Sequence, residues 1–165
     1  MKIWLSILVA TLSTVLVLKI FSLGQASVQQ PIQYNHSKHI EAGLACGDCH
    51  VNAETGIRAS IPTLAGCLEC HEEAVTDSEE EEKLRTLSAD GIQYPWIQIT
   101  SLEKDVLFSH RRHVGIAKIA CRECHGKMEE LTEPPARAMI NMTMKFCMNC
   151  HRDKNVTNDC LACHR

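Results

Sequence analysis

Cys147-Met148-Asn149-Cys150-His151 and, eight residues further on, Cys160-Leu161-Ala162-Cys163-His164 close the series of motifs that decides how this chain is built. The same Cys-x-x-Cys-His spacing occurs at Cys46–His50, Cys67–His71 and Cys121–His125, so all ten cysteines fall into five such motifs. A Cys-x-x-Cys pair followed directly by histidine is the pattern of covalent c-type haem attachment. Each pair supplies two thioether sulfurs to one porphyrin, and the histidine after it stands where its imidazole reaches the iron. Zinc sites also use Cys-x-x-Cys, but a structural zinc takes four ligands, usually two pairs, and five pairs do not divide that way. A disulfide framework explains an even cysteine count and leaves the five histidines unexplained. The expected cofactor is therefore five covalently bound haem c groups. Cys46, Cys49, Cys67, Cys70, Cys121, Cys124, Cys147, Cys150, Cys160 and Cys163 would hold them, with His50, His71, His125, His151 and His164 as proximal iron ligands.

A chain of 165 residues sets one compact domain as the expectation. Aromatic residues are 4% of the chain and the large aliphatics concentrate at its N-terminus, which leaves little for an ordinary core. The fold class that follows is a multihaem cytochrome c with few short helices, little sheet and a haem-filled core, whose apoprotein does not fold. The formal charge of −3 comes without a basic stripe, so nucleic acid is not an expected partner.

From Ile3 to Leu18 the sequence carries no charge; Lys19 interrupts, and Ile20-Phe21-Ser22-Leu23 extends the run. Counted to Leu23 it is about 20 residues, enough to cross a bilayer, with Lys19 able to snorkel to the interface. The competing reading is a cleaved signal peptide with Lys2 at its start and Gly24-Gln25-Ala26 as the cleavage site. Residues 1–24 are read as an anchor, because the apolar run exceeds a usual signal-peptide core and Lys19 fits one poorly. In either case the remainder is exported, since haem attachment takes place outside the cytoplasm. The expected location is the bacterial cytoplasmic membrane, single-pass, with the haem domain (31–165) on the periplasmic side.

An internal repeat organises that domain. Tyr34-Asn35-His36-Ser37-Lys38-His39 precedes Cys46–His50 and Cys67–His71, and Phe108-Ser109-His110-Arg111-Arg112-His113 precedes Cys121–His125 and Cys147–His151. Both run aromatic, small polar, His-x-x-His, motif, motif, which suggests a duplicated two-haem module over 31–75 and 108–151, with a fifth haem over 152–165. The eight residues between His151 and Cys160 force the last two haems together. Residues 76–107 link the halves. Ser78 and Glu79-Glu80-Glu81-Glu82 read as a solvated helix with a Ser78/Glu81 capping box, ended by Asp90-Gly91. A sharper reading makes it an acidic face for a basic redox partner. From Ile92 to Phe108 an extended connector is expected, with at most a short edge strand.

Nine histidines are present, and the four outside the motifs are His36, His39, His110 and His113. On a helix, residues i and i+3 share a face and diverge slightly, so each pair can serve two different irons. A shared zinc is the alternative, but no Glu follows the first His as a zincin requires. Four distal histidines leave one haem short. Met144, three residues before Cys147, is the first candidate for that sixth ligand; otherwise the site is open.

The paired His-x-x-His and repeated Cys-x-x-Cys-His motifs resemble class III multihaem cytochromes c. Tyr94-Pro95-Trp96-Ile97, Val106-Leu107-Phe108-Ser109-His110-Arg111-Arg112-His113-Val114, Cys121 to Gly126, Met144 to His151 and Asp159 to His164 narrow the likeness. They resemble the membrane-anchored multihaem subunits of alternative complex III and of the related quinone reductase complex, over roughly 31–165. The resemblance implies an electron-relay subunit that is not an enzyme on its own. Iron–sulfur and quinol-binding membrane subunits would feed it, and a monohaem cytochrome c or terminal oxidase would be its acceptor. Two other functions fit the residues: a free periplasmic shuttle to a reductase, and a haem enzyme acting at the ligand-deficient iron.

Overall fold

The computed structural model describes residues 28–89 and 95–165. Short helices joined by loops make up its regular structure. In chain order these are α1 (His36–Glu41), α2 (Cys46–Cys49), α3 (Leu64–His71), α4 (Glu79–Ala89), a π-helical turn (Arg111–Ile116), α5 (Arg122–His125), a 3-10 turn (Met128–Glu130), α6 (Met144–Asp153) and α7 (Cys160–Cys163). Among the described residues there is no strand, and one isolated antiparallel bridge joins Val106 to His164.

Local chemistry fixes where these pieces start. Asn35 Oδ1 accepts from the Lys38 amide at 2.9 Å, Thr63 Oγ1 from Gly66 at 3.3 Å, Thr143 Oγ1 from Phe146 at 3.2 Å and Asp159 Oδ1 from Leu161 at 2.9 Å. Each satisfies an amide that the first helical turn leaves open. At α2 the carboxylate of Asp48 accepts from the Ala45 amide instead, at 2.8 Å. Helices this short do not persist alone in water. A single turn is nonetheless enough to bring both cysteines and the histidine of a motif to one side, because positions three and four apart are neighbours.

Few apolar side chains are covered. Ile32, Leu64 and Leu84 form the buried hydrophobic cluster, with Tyr34, Cys67, Leu68 and Trp96 packed against it. This cluster sits where α3 meets α4, and it is far too small to offset the conformational entropy of ordering so long a chain. The rest is tied by backbone bonds between distant segments. Ser37 donates to the Leu131 carbonyl at 2.9 Å, His110 to Ile57 at 2.9 Å, Arg111 to Gly56 at 2.8 Å and Leu107 to Cys163 at 2.7 Å.

Two local expectations change. The acidic run does form a helix, with Glu79, Glu82 and Lys83 exposed to solvent as expected, but Glu81 and Leu84 turn inward and are both 7% exposed. The capping box is absent. The Ser78 amide donates to Thr76 Oγ1 at 3.2 Å, while the Glu81 carboxylate takes the amides of Val75 (2.6 Å) and Thr76 (2.8 Å) and the Thr76 hydroxyl (2.5 Å). The turn at 75–76 offers three donors on the covered side of α4, and Glu81 faces that side. The second His-x-x-His pair opens a π-helical turn where the first lies on an α-helix. Seven residues follow His113 before the next cysteine, against six after His39, and the wider turn takes up the extra residue. Its Gly115 backbone passes so close to the Glu54 carbonyl that a Cβ there would overlap the oxygen.

No described helix is long and apolar enough to cross a membrane. Residues 1–24, read as the anchor, lie outside the described residues, as do Asp90-Gly91 and Tyr94.

Candidate haem-binding site

Each motif sits on its own helical turn: Cys46–His50 on α2, Cys67–His71 at the end of α3, Cys121–His125 on α5, Cys147–His151 within α6 and Cys160–His164 on α7. No disulfide joins any two of the ten cysteines. All nine histidines are half-buried.

The aromatic residue that opens each repeat clamps the two histidines after it. Tyr34 meets His36 edge-on, centroids 4.7 Å apart, and stacks on His39 at 4.4 Å. Phe108 meets His110 edge-on at 4.9 Å and stacks on His113 at 4.5 Å. The His39 Nδ1 lies 2.8 Å from the Asn35 carbonyl, and the His113 Nδ1 lies 2.8 Å from the Ser109 carbonyl. Two stretches of different sequence thus make the same set of contacts.

The same contacts fix tautomers. His50 Nδ1 lies 2.6 Å from the Ser60 carbonyl, His151 Nδ1 2.7 Å from that of Thr157, and His164 Nδ1 3.0 Å from the Asp105 carboxylate. An oxygen acceptor requires the proton on Nδ1, which leaves the Nε2 lone pair for a metal. His110 Nδ1 lies between the Ile57 carbonyl (3.3 Å) and the Ala59 amide (3.2 Å).

Three of the four unassigned histidines come to face a motif histidine. Ring centroids are 6.0 Å apart for His39 and His71, 6.3 Å for His110 and His125, and 6.2 Å for His113 and His151. An iron bound by two imidazole nitrogens at about 2.0 Å each sets ring centroids about 6 Å apart, so the three pairs fit that group. Burial, then the nearby His50 charge, pushes the His36 pKa down, which places His36 beside the first motif. Burial, then His110 and His50, does the same to His125. Neutral imidazoles are the form that binds metal. His164 faces none of the other eight. Met144 stands exposed at the first position of α6.

The cysteines reveal which motifs adjoin. Burial raises the thiol pKa of Cys67, with Cys49 next in effect; that of Cys121, with Cys46 next; that of Cys124, with Cys150 next; and that of Cys147, with Cys163 next. These influences pair the second motif with the first, the first with the third, the third with the fourth and the fourth with the fifth. The backbone bonds from His110 and Arg111 to Ile57 and Gly56, and from Leu107 to Cys163, hold the same neighbours together. Such an order is invisible in the sequence, because the first-to-third step crosses 70 residues between His50 and Cys121.

Two carboxylates beside motif histidines were also beyond sequence reasoning: Glu81 near His71 and Asp105 near His164. The acidic run at 79–82 was visible, but nothing in it singled out the one member that turns inward.

Residues 19–91 match the class III cytochrome c family, and residues 106–165 match the family described as cytochrome c7 and related cytochrome c. The chain is also 28% identical to a protein of Nitratidesulfovibrio vulgaris named menaquinone reductase, multiheme cytochrome c subunit, over 83% of this chain and 77% of that one. With the motifs, the facing histidines and these matches in hand, the chain is similar to small multihaem cytochromes c, electron-transfer proteins that do not catalyse on their own.

Proposed function

We propose that the chain binds five haem c groups and carries electrons along them as the cytochrome subunit of a membrane quinone oxidoreductase. The observation that carries this reading is the row of adjoining motifs, in which four motif histidines have a second histidine nearby, three of them at iron-bridging distance. Bound haem c supplies one-electron chemistry at each iron. The chain's residues do the rest. Cysteine pairs fix each porphyrin by covalent bonds. Paired imidazoles, oriented by Tyr34, Phe108 and the carbonyls of Asn35, Ser60, Ser109 and Thr157, set ligand type and angle.

The two ends of the row differ. The fifth motif lacks a facing histidine, and Met144 is our candidate for its sixth ligand. A Met/His iron is held at higher potential than a His/His iron. The fifth motif is then the high-potential terminus. Residues 1–24 would anchor the chain in the cytoplasmic membrane, with residues 31–165 on the outer side. Iron–sulfur and quinone-binding membrane subunits are the proposed partners, in a complex of the quinone reductase or alternative complex III type, with a monohaem cytochrome c or a terminal oxidase as exchange partner. The name of the N. vulgaris relative supports the quinone-linked assignment.

Mild-detergent purification of the native protein, with mass spectrometry of what accompanies it, tests the assignment. Iron–sulfur and polytopic subunits should co-purify. Recovery alone, in the soluble fraction and trimmed near Ala26, would replace the complex subunit with a free shuttle.

A further inference from the structure

His71 differs from His50, His151 and His164 in what faces its outer nitrogen. His50 and His151 direct Nδ1 at neutral backbone carbonyls. His164 directs Nδ1 at a carboxylate, but the pair is open to water, with side chains 36% and 56% exposed. The Nδ1 of His71 is fully covered, and beside it at 3.2 Å lies Oε1 of Glu81, whose side chain is 5% exposed. The contact is one of charge and proximity, since the two are not aligned as a full hydrogen bond.

Glu81 is built to remain an anion there. Its Oε1 also accepts from the Val75 amide (2.6 Å) and from Arg85 (3.0 Å), and its Oε2 accepts from the Thr76 amide and hydroxyl (2.8 and 2.5 Å). Arg85 offsets part of the charge, but it approaches the carboxylate along α4, whereas His71 approaches from α3. In such covered surroundings a fixed charge acts on its neighbour with little screening. A negative charge beside Nδ1 makes the imidazole a stronger electron donor through Nε2, which favours the oxidised state of a metal bound there.

We propose that Glu81 is the positioning and charge-tuning residue of the second haem, making it the lowest-potential haem of the five. This rests on the reading of His71 and His39 as ligands of one iron. Because the second motif ends the row of adjoining motifs and the fifth stands at the other end, the potential then rises along the chain from α3 to α7. The carboxylate does this by standing charge, without gaining or losing a proton.

The test is a spectroelectrochemical titration of the purified holoprotein, wild type against Glu81→Gln, with haem content by mass and low-spin signals by electron paramagnetic resonance. Gln keeps one oxygen, enough for either the Val75 or the Thr76 donors, and removes the charge. The lowest-potential component should move upward while the other four stay, and all five haems should be retained. Thr76→Val is the control: it loosens the same turn but keeps the carboxylate, and should leave that component lowest. A Glu81→Gln protein with five haems and an unmoved lowest component overturns the proposal. Should Glu81→Gln not assemble, His39→Ala decides. It marks the second iron by making it high-spin, and the marked component must be the one that was lowest in the wild type. A different component changing overturns the proposal. A wild-type protein with fewer than five haems would instead overturn the underlying haem assignment.

Discussion

At the scale of single residues, an imidazole becomes a reliable iron ligand when its second nitrogen is already committed. Five of the nine histidines direct Nδ1 at an oxygen 2.6–3.0 Å away. The four histidines outside the motifs are further held by Tyr34 and Phe108, whose stacking and edge contacts set ring angles. His110 and His125 lie within 6° of parallel, while His39 and His71 are turned by 58°. Replacing His110 with Ala should convert one low-spin haem to high-spin and leave the others low-spin, as read by electron paramagnetic resonance of the oxidised protein. An unchanged spectrum would remove His110 from the ligand set. The candidate residues themselves could be read from spacing, because cysteine chemistry demands a fixed pattern. Glu81 could not, because a run of four glutamates does not say which of them faces inward.

At the scale of elements, the helices are one to three turns long, several started by short polar side chains, and five of them present Cys, Cys and His on one side. The sequence displayed the repeat but not its second geometry. One extra residue after His113 becomes a π-helical turn, and that turn is seated by close approach of Gly115 to the Glu54 carbonyl. Any side chain at 115 must push the turn away from the loop of residues 51–58. Gly115→Ala should cost about 1–3 kcal/mol, the range for forced overpacking. The shift should appear in thermal unfolding of the holoprotein followed at the haem absorption, together with perturbed signals from the third and fourth haems. Wild-type stability in that variant would mean the approach is not constrained. The α4 helix teaches the converse: composition placed it correctly, but a periodic acidic pattern cannot reveal that a turn three residues upstream supplies better partners than the helix's own start.

At the scale of the whole molecule, the three buried hydrophobic side chains among the described residues and a set of backbone bonds between distant loops do not make an ordinary core. The low aromatic content made this legible in advance, as did the expectation of little sheet. The spatial order of the motifs was not legible, since it depends on contacts such as Cys46 with Cys121 that no local pattern encodes. That order gives the molecule its proposed direction, from the carboxylate-backed His71 to His164, which no other histidine faces. The account stands on four His/His irons and one that is different. Quantitative electron paramagnetic resonance of the fully oxidised holoprotein tests this most directly. The prediction is five irons per chain, four with low-spin bis-imidazole signals and a fifth of another type. Five equivalent bis-imidazole signals, or fewer than five irons, would contradict it.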